Sequence, residues 1–194
     1  MSANLPIPRP PFWMRLSIVN GNLLQAAGLL IGALLLYIAA HATTIAVIQI
    51  VLMIIGWVAI YLCSHASGHW LIGRLVGIQF KGYGIRGTDH PENYLVGMRQ
   101  LMQIVPFFTV MTEKDSMAKA SATAKALMFA AGETSTSIFE IAAGWYAWHA
   151  NLPGGGILFI ISIIWAVAAT FATATAPKGD YAKAIKVLRG QRAV

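Results

Sequence analysis

Residues 43–69, TTIAVIQIVLMIIGWVAIYLCSHASGH, form an apolar run that closes on two histidines four residues apart. A helix of about twenty apolar residues crosses the hydrocarbon layer of a bilayer, and Thr43 to Cys63 meets that length. Positions i and i+4 share one helix face, so His65 and His69 present two imidazoles to one side. That is the spacing at which a zinc-sized ion takes a nitrogen from each. Polar groups are costly at this depth, so the pair demands a reason for being there.

Composition widens the reading from one span to the whole chain. Of 194 residues, 57% are hydrophobic and 11% charged, too little polar surface to cover a water-soluble globule of this size. Further apolar stretches lie at Ser17–Ala40, Lys125–Trp148 and Gly155–Ala176. The expected fold class is an all-α integral membrane protein, one membrane domain over 1–194. It has about four transmembrane helices, near 17–40, 43–74, 125–148 and 155–176, with a short cytoplasmic strand or hairpin and an interfacial segment. The first stretch exceeds a secretory h-region and lacks a cleavage pattern, so it is expected to be retained.

Charge orients these spans. Arg9, Arg15, Lys178, Lys183, Lys186, Arg189 and Arg192 flank the first and last against one acid, Asp180, while the two hairpin loops carry no Lys or Arg. Both termini are therefore expected on the cytoplasmic side, with 177–194 a basic tail and 78–119 a cytoplasmic or interfacial region. Topology and contact with the lipid bilayer account for the net charge of +7 without nucleic acid. The single cysteine, Cys63, excludes an intrachain disulfide.

Along the chain, prolines at 6, 8, 10 and 11 keep Leu5–Trp13 from being helical, and its aromatics with Arg15 suit the headgroup layer, so 1–16 reads as an interfacial N-terminal segment. Gly28 and Gly32 in the first span invite close approach of another helix. Ile78–Thr88, broken by glycines, reads as a short strand or hairpin, and its Gly82–Gly87 spacing lacks the strand–turn–helix context of a dinucleotide site. Tyr94–Val110, interrupted by Arg99 and Pro106, reads as re-entrant or interfacial. His90-Pro91-Glu92 reads as a solvated loop. In the third span Glu133, Ser137 and Glu140 fall at i, i+4 and i+7, one polar intramembrane stripe that must face other helices. The small residues from Ala166 to Ala176 suit tight packing.

HASGHWLIGRLVGIQF, His65 to Phe80, resembles the motif helix of the site-2-protease family of intramembrane zinc metalloproteases, whose members read His-Glu-x-Gly-His followed by a helix end, Gly-Ile and a short strand. AGETST, Ala131 to Thr136, is similar in placement to the family's Ala-Gly-Pro-x-x-Asn segment. The resemblance implies zinc held by His65, His69 and a third ligand from a later helix. Asp180, in Lys-Gly-Asp, is the only Asp after the third span. Ala66 stands where the family has its Glu general base, so the implied protein is a divergent, non-proteolytic relative. It would serve as a partner-binding or accessory subunit among other membrane protein subunits. The alternative is an active intramembrane zinc metalloprotease with Glu133 as catalytic base. Two further classes are weaker. Haem ligands normally come from different helices, unlike His65 and His69, and His41 and His149 are placed to pair only with each other. Proton transport through Glu133 and Glu140 would need more than four spans to build a pathway.

Overall fold

A computed structural model describes residues 11–88 and 98–190, with Met98 and Arg99 as backbone alone. His90-Pro91-Glu92, the prolines at 6, 8 and 10, and the end of the basic tail lie outside the described residues. Ser17 opens α1 (Ile18–His41), its hydroxyl accepting from the Asn20 amide at 3.1 Å. After a four-residue turn, α2 runs unbroken from Ala46 to Leu75. Thirty residues at about 1.5 Å each make α2 longer than a bilayer crossing requires. Ser121 caps α5 (Ala122–His149) through the Ala124 amide, and α6 (Gly155–Thr175) returns after a turn in which Asn151 and Gly154 take positive φ. Three helices, α1, α2 and α6, are long and apolar enough to cross a membrane. α5 is as long but less apolar, because Lys125, Glu133 and Glu140 lie within it.

Helix α2 packs between α1 and α5, and α5 packs in turn against α6. The α1–α2 contact closes at Gly32 and Gly56, where a Cβ on Gly32 would come within 2.7 Å of the Gly56 carbonyl. Beside it lies the apolar core of the hairpin end: Leu36, Ala39, Met53, Ile60, Ala143, Ala147, Leu152 and Leu158. The small-residue run of α6 is not a packing seam within the chain. Only Ala166 of 166–176 is buried, since α6 meets α5 through Leu158 and Ser162 and turns its other sides outward.

The opposite end carries an antiparallel sheet of three strands in the order β1 (Met14–Leu16), β2 (Phe80–Arg86), β3 (Phe107–Thr112), with a short helix α3 (Met98–Ile104) before β3 and another, α4 (Lys114–Lys119), after it. The expected strand is present, and its pairing draws in segments from both sides of it. The strand or hairpin at 78–88 is the central strand of a sheet whose partners come from both sides of the sequence, Leu16 opposite Tyr83 and Val110 opposite Tyr83. Consequently the end of the 1–16 segment is a strand, and so is the end of Tyr94–Val110. An extended glycine-rich strand leaves amides and carbonyls bare on both edges, and pairing on both sides satisfies them. Tyr83 is fully buried under α1, donating to Asn22 Oδ1 at 2.5 Å, and burial pushes its phenol up to about 12, so the hydroxyl keeps its proton.

Candidate metal centre

The histidines of α2 face α5 because the helices approach closely at two glycines. A Cβ on Gly68 would lie 2.6 Å from the Ala131 carbonyl, and a Cβ on Gly132 would overlap the His69 ring. Ser135 Oγ ties the crossing further by donating to the Ser64 carbonyl at 2.9 Å. The third residue arrives from beyond α6. The chain turns at Pro177 and Lys178, Gly179 lies so close to the Thr173 carbonyl that no side chain fits, and Asp180 opens α7 (Asp180–Leu188) against α5.

Three atoms converge there. His65 Nε2, His69 Nε2 and Asp180 Oδ2 stand 3.2 Å from one another on all three edges. Ligands on a tetrahedron with zinc bonds of about 2.0–2.1 Å have edges of about 3.3–3.4 Å, so the group matches one face of such a polyhedron. These residues could hold a metal ion.

The hydrogen-bond network assigns the tautomers and shows why a cation is called for. His69 Nδ1 lies 2.7 Å from the Met128 carbonyl, which only accepts, so Nδ1 carries the proton and the Nε2 of a neutral ring carries a lone pair. His65 Nδ1 lies 3.2 Å from Thr136 Oγ1, whose own proton goes to the Gly132 carbonyl at 3.0 Å, so His65 too donates from Nδ1. Two lone pairs and a carboxylate oxygen then meet at a spacing that repels unless a cation joins them. That cation is either an added proton on an imidazole or a metal ion. With a proton, burial pushes the Asp180 carboxyl up, but the charge on His69 and hydrogen bonds from both rings outweigh it and hold it well below its usual range. Asp180 Oδ1 is turned away and held by Lys183 Nζ at 3.0 Å. Backbone carbonyl, hydroxyl and ammonium thus form the outer shell that fixes metal ligands in orientation.

The other expected residues fall as follows. Glu133 is buried on α5, next to Gly132 and within electrostatic reach of His65, Asp180 and His69. Glu140 is buried farther along the same helix, and its two carboxylate oxygens and the Ser137 hydroxyl have no hydrogen-bond partner among the described residues. His41 packs on Tyr37 with the rings tilted by 48° and lies 3.4 Å from the Tyr146 hydroxyl, while His149 stacks on Trp145. Sequence reasoning missed the shell around the triad: Met128, Thr136 as a partner of His65, and Lys183. It also missed Gln25 of α1, whose Oε1 accepts from Ser67 Oγ at 3.0 Å on another face of α2. Gln25 was detectable as an amide set inside an apolar span, beyond Asn20 and Asn22 at its start. The others depend on which turn of α5 meets which turn of α2.

No protein-family model, curated protein or solved structure matches the chain. Its chemistry therefore rests on the residues themselves.

Proposed function

We propose that the chain is a four-span integral membrane protein of the site-2-protease type, with both termini cytoplasmic. It holds zinc at His65, His69 and Asp180 and acts without proteolysis as an accessory subunit of a membrane assembly. The observation that carries this reading is the convergence of two Nδ1-protonated imidazoles and a carboxylate at 3.2 Å. α5 qualifies as the fourth span by its sidedness. Glu133, Thr136 and Glu140 are turned inward, while Leu127, Ile138, Phe139, Trp145 and Trp148 are exposed. Ala66, fully buried, supports the non-proteolytic reading, since the position of the motif's general base holds only a methyl group. Metal content by mass spectrometry, measured on detergent-purified protein beside a His65→Ala/His69→Ala variant, tests the site. About one zinc per chain, lost in the variant, is expected of a three-ligand site. A metal-free wild type overturns it.

The position of Glu133 favours a second reading. Zinc supplies Lewis acidity and makes water a nucleophile near neutral pH, and a carboxylate beside the triad is the group needed to take the proton. Cleavage of a transmembrane substrate that Glu133→Gln abolishes while zinc stays bound would establish the protease. Cleavage untouched by that variant would exclude Glu133 as the base.

A further inference from the structure

Helix α7 delivers Asp180 to the histidines, yet nine residues make a helix too short to be stable alone, so its position depends on the surfaces it lies against. These surfaces are α5 and α6, and Ala182 and Ala184 are the buried residues of α7. Part of α7 stays exposed within the chain. Tyr181, Ile185 and Leu188, at i, i+4 and i+7, form an apolar stripe, with Ile185 41% and Leu188 59% exposed.

This stripe continues an outward apolar surface of α5 and α6. Tyr181 lines an apolar groove of about 540 Å³ with Ile138, Ile141 and Trp145 of α5 and Phe159 of α6, and its hydroxyl lies 2.8 Å from Thr134 Oγ1. The same segment carries Lys178 before α7, Lys186 within it and Arg189 at its end, while Lys183 is on the side away from the stripe, paired with Asp180. The only acid in the segment is Asp180, already engaged by Lys183 and the imidazoles. Lys186 donates to the Pro177 carbonyl at 2.7 Å, which folds the α6–α7 turn toward the same cationic rim. An apolar stripe flanked by cations is the pattern of a helix lying in a headgroup layer, where acyl chains cover the stripe and lipid phosphates meet the cations.

We propose that α7 docks on acidic phospholipid, with Tyr181, Ile185 and Leu188 in the acyl boundary and Lys178, Lys186 and Arg189 at headgroup phosphates. Docking there would tighten metal binding by holding Asp180 against His65 and His69. The coupling rests on the metal reading above, whereas the docking does not. Asp180 is the first residue of α7 and Gly179 leaves no slack against Thr173, so a shift of α7 moves the carboxylate directly. Each cation at an anionic surface contributes roughly fivefold in affinity, and only the difference between docked and undocked α7 reaches the metal, so a gain of about three- to tenfold is expected.

The full chain is placed in nanodiscs of phosphatidylcholine alone or mixed with phosphatidylglycerol, and its zinc affinity is read by chelator competition. In parallel, an environment-sensitive dye at Leu188→Cys, in a Cys63→Ala background, reports the surroundings of α7 without reference to metal. Tighter zinc binding and a blue-shifted dye with phosphatidylglycerol, both lost in Lys178→Gln/Lys186→Gln/Arg189→Gln, are expected. Equal zinc affinity in the two membranes overturns the coupling. If no zinc binds in either membrane while the dye still responds to lipid, the metal reading falls and takes the coupling with it, leaving the docking intact. A dye equally buried in both membranes and in detergent micelles indicates a protein cover and overturns the lipid docking.

Discussion

Gly32 and Gly132 both stand where two helices touch, but their neighbours differ in kind. At Gly32 the neighbours are the Gly56 carbonyl and the Ile60 side chain, each 2.7 Å from where a Cβ would stand, and the side chains of Leu36, Met53 and Ile60 have no polar group to place. At Gly132 the neighbour is an imidazole held on one nitrogen by a carbonyl and facing a carboxylate with the other. The hairpin end has directional bonds too, Gln49 Nε2 on the Ala39 and Thr43 carbonyls and Trp57 Nε1 on Ser162, but its core is apolar packing, which tolerates small shifts at a graded cost. The metal end is held by directional bonds whose geometry is shared among α2, α5 and α7, so a small displacement breaks several at once.

The sharpest way to break the comparison is to make one substitution in both places. Gly132→Val drives a branched side chain into the His69 ring, and zinc affinity should fall by at least about a hundredfold, as when ligand orientation is lost. Gly32→Val should instead lower stability by about 1–3 kcal/mol while the folded fraction still binds zinc normally. Chelator competition and thermal unfolding in the same detergent separate the two outcomes. If Gly132→Val kept its zinc, the metal end would be no more directional than the hairpin end.

A smaller effect is expected one layer out. Thr136→Val keeps the volume but removes the oxygen that receives the His65 Nδ1 proton. The ring then loses its tautomer bias, and zinc affinity should drop by about tenfold. Thr136→Ser restores the oxygen and should restore most of the affinity. Equal loss in both variants would mean that the methyl group packs the site and the hydroxyl does not orient it.

These residues also mark how far the sequence could be read. The histidine pair was visible because helical spacing alone puts positions 65 and 69 on one face, and Asp180 because no other Asp follows the third span. Three of the spans were visible as apolar length. Thr136 and Met128 were not visible, because their roles depend on the register between α2 and α5, which is set by glycine contacts far apart in sequence. Strand β1 stayed hidden for a similar reason. Met14, Arg15 and Leu16 show no alternation long enough to mark a strand, and they become one only beside Gly84 and its neighbours. Helix α7 was masked by the Pro and Gly before it and by the charges that made it read as a tail.

The smallest expected change in zinc binding concerns Glu140, which brings a polar group toward the packed end of α5. Its carboxylate oxygens are buried without a partner among the described residues, although its backbone carbonyl accepts from Trp57 Nε1 at 3.2 Å. A buried carboxyl in that state costs stability, and replacing it with an apolar side chain of similar volume removes the cost without leaving an orphan behind. Glu140→Met should therefore leave zinc binding unchanged and raise stability by up to about 2 kcal/mol, read as a higher Tm in detergent. Glu140→Gln keeps two unpartnered polar atoms and should gain little. If Glu140→Met lowered the Tm, the carboxyl must meet a hydrogen-bonding group in the assembled protein, and the polar stripe of α5 would extend well past the metal end.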